Sequence, residues 1–229
     1  MSIVALKGNP LYKAWKAEKY VRGHSISGWD RPMMRDFDAK KYMKQFQYDL
    51  VLRERMVRTY SWSIPTPEAI KWIAGHARNV IEIGAGRGYW ASLLAKAGVH
   101  INAYDSHVRG DQLLKNGWHE PHPLWDEKDA VFSDDLYYSV LRGGPTQLRQ
   151  PHDGWTLFLC WPPHSSEMAS SCLRYYQGDE FIYCGPLNGA CASDAFWKRI
   201  DREWSEADQC DIPTWPNQQD RLVLFARKA

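Results

Sequence analysis

Residues 79–105 read NVIEIGAGRGYWASLLAKAGVHINAYD, and the rest of the chain is arranged around them. Asn79 to Ile83 is a short, β-branched apolar run of the kind that forms a buried strand, and Gly84, Ala85, Gly86, Arg87 and Gly88 form a tight glycine-rich turn. Tyr89 to Lys96 carries helix formers, Gly98 stops that helix, and Val99 to Tyr104 is a second buried strand ending in Asp105. The unit is strand, turn, helix, strand. Glycines at alternate positions let the backbone approach a ligand closely. The turn then delivers the chain to a helix N-terminus, where free N–H groups and the positive dipole end favour an anionic or electron-rich group.

The spacing separates two nucleotide-ligand readings. A dinucleotide fingerprint wants Gly-x-Gly-x-x-Gly. Here the third glycine comes one residue early and an acid, Glu82, precedes the first by two, giving Glu-x-Gly-x-Gly-x-Gly. That pattern resembles the first motif of the class I, Rossmann-like S-adenosylmethionine-dependent methyltransferases. The resemblance implies that Glu82, Gly84, Gly86 and Gly88 pass and orient the methionine part of the cofactor, and that Asp105 takes the ribose hydroxyls. A carboxylate suits that last role because it accepts from both hydroxyls of a diol.

With 229 residues, 44% of them hydrophobic, the chain can bury one sizeable core with an elaboration. The net charge is +2, but residues 1–60 hold 13 Lys plus Arg against 6 acids. All five cysteines (Cys160, Cys172, Cys184, Cys191, Cys210) lie in the C-terminal half without a Cys-x-x-Cys pair, which reads as a reduced, metal-free chain. Neither a signal-peptide stretch nor a membrane-length apolar run is present, so a soluble, cytoplasmic protein is expected.

Residues 1–60 read as a basic, aromatic N-terminal arm and helix, and 61–229 as the main domain. The arm is broken by Gly8, Pro10, Gly23, Gly28 and Pro32, with one short helix near Leu11 to Tyr20. Across 36–60 the spacing of Tyr42, Phe46, Leu50, Met56 and Val57 predicts an amphipathic helix. Its basic residues, Lys40, Lys41, Arg53 and Arg55 among them, form either a solvated face or a surface for nucleic acid. Thr66 caps the next helix, with Pro67 at its first position and Glu68 at the dipole end. Trp62, Ile64 and Pro65 before it are candidate lid residues.

After Asp105 the pattern weakens. His107, His119 and His122 lie in or beside a Pro-rich stretch with Trp118 and Trp125. His119-x-x-His122 has neither a nearby cysteine nor helical spacing, so no metal site is expected. Ala130 to Phe132 is the candidate third strand, and Ser133 caps an expected helix from Asp134 to Leu141. By the resemblance, an acid here meets the adenine, and Asp134 is the nearest candidate.

Thr156 to His164, TLFLCWPPH, is a central strand that stops at two prolines, which cannot extend a ladder. Ligands of open α/β sheets sit beyond such carboxyl ends. The segment resembles the Asp/Asn/Ser-Pro-Pro-aromatic motif of amino-methyltransferases, with Trp161, Pro162, Pro163 and His164 at the matched positions. Trp161 departs from it: an indole offers a donor and no acceptor. His164 is the candidate for acceptor contact or base, bordered by Pro162 and Pro163.

Glu167 to Tyr176 then reads as a helix, Glu180 to Cys184 as the fifth strand, Asp194 to Trp204 as an amphipathic helix, and Cys210 to Trp215 and Arg221 to Arg227 as two closing strands. The expected fold is α/β: a Rossmann-like seven-stranded methyltransferase sheet, mostly parallel, with an antiparallel C-terminal strand and helices on both faces. SIPTPEAI, IEIGAGRGYW, LFLCWPPH and IPTWPNQQDRLVLF are together similar to a subgroup of methyltransferase-like proteins with a Trp/Tyr-Pro-Pro segment. That resemblance implies S-adenosyl-L-methionine as cofactor and supplies no acceptor. A small aromatic or heterocyclic molecule is favoured by the Trp and Tyr content. A nucleic-acid base is the enzymatic alternative, and a non-catalytic cofactor-binding or interaction module is the other.

Overall fold

The computed structural model describes residues 3, 5–17, 52–107, 136–187, 189–215 and 218–228. In chain order they form helix α1 (Pro10–Ala17), a helical run over 52–59 (α2), α3 (Pro67–His76), β1 (Asn79–Ile83), α4 (Tyr89–Lys96), β2 (His100–Asp105) and β3 (Val140–Arg142). A 3-10 turn at Pro145–Arg149 leads to β4 (Thr156–Cys160), α5 (Met168–Tyr175), β5 (Glu180–Pro186), α6 (Asp194–Glu203), β6 (Trp204–Cys210) and β7 (Asp220–Arg227).

The strands make one seven-stranded sheet in the order β3-β2-β1-β4-β5-β7-β6. Pairs β1 with β2, β1 with β4, β2 with β3 and β4 with β5 are parallel, whereas β7 runs antiparallel to both β5 and β6. This is the Rossmann-like, mostly parallel sheet with an antiparallel C-terminal strand that the sequence led us to expect. Because its order reverses across β1 and β4, the carboxyl ends of these two strands flank the crevice where such sheets bind ligands.

Both faces are covered, so the central strands are apolar on both sides and alternate between two cores. Val80, Phe158, Ile182, Cys184, Leu222 and Leu224 pack toward α1, α3 and α4. Ile81, Ile83, Leu157, Leu159, Phe181, Tyr183, Val223 and Phe225 pack toward α5 and α6. Period two also places Glu82 and Asp220 on the first of these faces. In the second core Phe181 is a centre: it stacks on Phe225 at 5.1 Å and meets Trp204 edge-on at 4.8 Å. Each such fully buried ring contributes about 1.5–3 kcal/mol.

The start of α3 is as expected. Thr66 Oγ1 accepts from the Ala69 N–H at 3.0 Å, and Pro67 opens the helix. The described part of the N-terminal arm belongs to the core rather than standing off it. Leu11 is fully buried, its N–H donates to Tyr89 Oη at 3.0 Å, and that hydroxyl donates to Asn9 Oδ1 at 2.8 Å. Asn9 Nδ2 reaches the Pro65 carbonyl at 2.6 Å. Lys96 Nζ donates to the Leu6 carbonyl.

Two expectations are corrected. The sixth strand is Trp204–Cys210, not Cys210 to Trp215. It is an edge strand whose positions 205–209 are all exposed, so it lacks the apolar alternation by which strands are read, and Pro213 keeps 211–215 out of the ladder. Among the described residues, β3 is Val140–Arg142, paired with Ala103, Tyr104 and Asp105, within the span expected to be helical. The described part of the helix expected at Asp134 to Leu141 is accordingly not helical: Leu136 bridges to Ile3, and the Tyr137 N–H donates to the Arg87 carbonyl at 2.8 Å. Asp134, His119, His122, Lys40, Lys41 and the strand expected at Ala130 to Phe132 lie outside the described residues. No described helix is long and apolar enough to cross a membrane.

Candidate functional site

The turn after β1 is built by positive-φ glycines: Gly84 at 84°, Gly86 at 55° and Gly88 at 73°. L-residues avoid this region, which is one reason for glycine at all three positions. The three differ in what surrounds them. A Cβ on Gly88 would stand 2.8 Å from Tyr138 Cβ, 2.9 Å from Val140 Cγ2 and 3.2 Å from the Tyr138 backbone nitrogen, so this glycine lets the chain entering β3 approach. A Cβ on Gly84 would meet only the end of Met168, at 3.1 Å, and one on Gly86 would meet nothing within 4 Å. Gly86 is therefore the glycine that borders open space.

Asp105, at the end of β2, holds the turn. Its Oδ2 accepts from the Gly86 N–H and its Oδ1 from the His107 N–H, both at 2.8 Å. The Tyr104 carbonyl accepts from the Gly84 and Ala85 N–H groups at 2.9 and 3.0 Å. Burial raises the Asp105 carboxyl, partly offset by its two backbone hydrogen bonds. Glu82 lies on β1 opposite Ala103, two residues before Asp105 on β2, and is 2% exposed. Burial, then the neighbouring Asp105 charge, push its carboxyl up to about 8. Its Oε2 is buried and has no hydrogen-bond partner among the described residues. An orphaned buried carboxyl oxygen costs free energy until a donor reaches it.

Tyr89 and Trp90, directly after the last glycine, are core residues. Tyr89 packs edge-on against Tyr137 at 5.3 Å, and Trp90 against Phe158 at 5.4 Å. Arg87 of the turn donates to the Thr59 carbonyl at 2.9 Å, which ties the end of α2 to the turn.

At the end of β4 the chain leaves the sheet through Trp161, a non-glycine residue at φ 49° whose N–H donates to the Cys184 carbonyl at 2.8 Å. Its indole Nε1 donates to Asp220 Oδ2 at 3.0 Å, and Ser63 Oγ donates to the same oxygen at 2.9 Å. Asp220 opens β7 and pairs with Pro186 of β5, which brings it to the carboxyl edge. It is 5% exposed and its Oδ1 has no hydrogen-bond partner among the described residues. Burial pushes its carboxyl up to about 6, opposed by the bonds from Trp161 and Ser63 and by the charge of Arg53.

Trp62 stacks on Trp161 at 5.1 Å with 20° between the planes, and the Arg53 guanidinium lies 5.2 Å from one ring centre and 5.4 Å from the other. Trp215 Nε1 donates to the Trp62 carbonyl at 3.1 Å, which anchors this loop to the segment before β7. Arg53 is 9% exposed, with its basicity lowered by burial; it therefore faces inward, whereas Arg55 is exposed. Pro162 is buried, its carbonyl accepting from the Ala192 N–H at 2.8 Å. Pro163 and His164 are exposed, and His164 Nδ1 bonds to the Ala192 carbonyl at 3.1 Å.

The structure thus brings Glu82, Gly84, Gly86, Gly88 and Asp105 together and places His164 on the rim. Asp220, Ser63 and the inward role of Arg53 escape a reading by motif. Asp220 stands two residues before Leu222 and four before Leu224, both on the inner face, so extending that alternation by one strand step points to it. Among the described residues no group of three or more His, Cys, Asp or Glu could hold a metal ion.

No protein-family model and no curated protein matches the sequence. Solved structures do match. The magnesium protoporphyrin IX methyltransferase ChlM of Synechocystis PCC 6803, with bound SAM, is 16% identical over 99% of this chain and 100% of that one, with a TM-score of 0.45. TehB of Haemophilus influenzae is 10% identical over 77% of this chain and 67% of its own, at 0.42. The mitomycin 7-O-methyltransferase MmcR is 12% identical over 83% of this chain and 59% of its own, also at 0.42. At these identities and scores they assign neither a ligand nor an acceptor to this chain.

Proposed function

We propose that the chain is an S-adenosylmethionine-dependent methyltransferase. The observation that carries this reading is Glu82: a buried carboxyl at the end of a central strand, beside a turn of three positive-φ glycines, with Oε2 lacking a partner among the described residues. A cationic amine such as that on the methionine part of the cofactor would satisfy it with a charge-assisted hydrogen bond. Gly86 leaves the backbone open beside it. Each Asp105 oxygen is engaged by one N–H and retains acceptor capacity for a ribose diol. The residues present therefore fit this cofactor.

When bound, S-adenosylmethionine supplies an electrophilic methyl group. The chain supplies position: the turn fixes the cofactor's orientation, and the end of β4 and the start of β7 face the acceptor. Pro162 and Pro163 turn the chain out of the sheet at the acceptor side, and His164 is a rim contact. A small aromatic or heterocyclic acceptor suits the paired indoles of Trp62 and Trp161.

Calorimetric titration with S-adenosylmethionine and S-adenosylhomocysteine tests the reading. Both bind the folded, cofactor-free wild type, and Asp105→Ala weakens them by about tenfold or more, as loss of a hydrogen bond to a charged group implies. Absence of binding by the folded wild type would sink it.

A further inference from the structure

The end of β4 holds two buried charges of opposite sign that are not joined to each other. Asp220 Oδ2 accepts from Ser63 and Trp161, and Oδ1 has no hydrogen-bond partner among the described residues. Arg53 approaches Glu54 at 3.7 Å through Nη1 and keeps Nε buried without a hydrogen-bond partner among the described residues. Both sit against Trp161, and the charge of Arg53 acts on Asp220, yet no ion pair within 4.0 Å links them. A buried carboxylate and guanidinium left in this state lose the desolvation cost of each group without the return of pairing. One buried acceptor and one buried donor remain without a hydrogen-bond partner among the described residues in the same aromatic cluster, beside two partly exposed indoles.

We propose that Arg53, Trp62, Trp161 and Asp220 form the acceptor-recognition site, and that it takes a planar heterocycle bearing an N–H next to a ring carbonyl. The N–H donates to Asp220 Oδ1, the carbonyl accepts from Arg53 Nε, and the flat ring lies against indole. Other chemistries fit less well. An apolar arene leaves both buried atoms unsatisfied, and an anion pairs with Arg53 while meeting the Asp220 carboxylate. Calling this the acceptor site rests on the methyltransferase reading, whereas the ligand chemistry rests on the two unpartnered atoms alone. The same lactam edge occurs on free heterocycles and on nucleic-acid bases.

The test uses 2-quinolone, 1-methyl-2-quinolone, in which the donor is blocked, and quinoline, titrated into the full chain by ligand-observed NMR with and without S-adenosylhomocysteine. On wild type, 2-quinolone binds about tenfold tighter than the methylated probe, and quinoline binds weakest. Asp220→Asn keeps a carbonyl oxygen for Ser63 and Trp161 but sets an amide donor where Oδ1 stood, so the preference falls to about twofold or inverts. Ser63→Ala, which leaves Oδ1 in place, keeps the preference.

Equal affinity of the two quinolones for wild type overturns the proposal without recourse to any variant, as does an Asp220→Asn protein that still discriminates. Competition by oligothymidylate at lower concentration than 2-quinolone identifies the base of a nucleic acid as the source of the edge, and the reverse order identifies a free heterocycle. S-adenosylhomocysteine binding without quinolone discrimination removes this proposal alone. Discrimination without S-adenosylhomocysteine binding removes the methyltransferase reading and leaves the site.

Discussion

The carboxyl edge of the sheet has two halves that differ in how they are made. The half we propose for the cofactor comes from residues 82–105, one strand, turn, helix and strand, and its geometry is written into positive-φ glycines and the acid closing β2. The half we propose for the acceptor is gathered from residues 53, 62, 63, 161 and 220, which meet because β7 inserts antiparallel beside β5 and α2 is tied to the glycine turn. Their electrostatics differ too. Glu82 has a like charge nearby and a carboxyl pushed up to about 8. Asp220 has two donors and a guanidinium and reaches only about 6. On the proposed reading, the cofactor is held by local backbone, while the acceptor is read by side chains delivered from distant parts of the chain.

Breaking the cofactor half at its tightest point has the largest effect. Gly88→Val forces a β-branched side chain into a positive-φ position against Tyr138 and Val140, and we expect a loss of about 3 kcal/mol or more in urea unfolding. Gly86→Ala meets open space and costs only the left-handed conformation, about 1–2 kcal/mol. Equal costs would show that the close approach of the β3 segment is not what Gly88 serves.

The pH dependence sharpens the contrast between the two acids. A buried carboxyl whose proton is held more tightly folded than unfolded contributes stability that is full below its ordinary value and lost as pH rises through its folded value. For Glu82 that window runs from 4.5 to about 8, and for Asp220 from 3.8 to about 6. Unfolding of the cofactor-free protein at about pH 5, 7 and 9 should show falling stability across the series. Glu82→Gln removes most of the decline above about pH 6, and Asp220→Asn flattens only the lower part. A decline that survives Glu82→Gln would mean that this carboxyl is not the buried titrating group.

The smallest effect lies outside both halves. Thr66→Ala removes the cap of α3 and lowers stability by about 1 kcal/mol, with cofactor and quinolone affinities unchanged. A change in either affinity would couple α3 to the site.

What the sequence made legible follows the same division. Glu82 through Asp105 could be read because motif, flanking strands and helix are contiguous and each obeys a simple period. The cap at Thr66 and the end of β4 at two prolines were legible for similar local reasons. The edge strand Trp204–Cys210 was hidden by its exposed polar residues, and Val140–Arg142 is three residues long, too short to show alternation. Asp220 was hidden because a carboxylate before an apolar strand is ordinarily a surface residue. Its alternation with Leu222 and Leu224 turns it inward and its pairing with Pro186 sets it at the carboxyl edge, where it accepts from Trp161. The indole that breaks the Pro-Pro motif thus has its acceptor on another strand.

The most direct test is a crystal structure of the full chain grown with S-adenosylhomocysteine. The ligand is expected at the carboxyl ends of β1 and β2, its amino group on Glu82 and its ribose hydroxyls on Asp105. Well-ordered ligand elsewhere, or crystals at saturating ligand with Glu82 Oε2 still unpartnered, would contradict this placement.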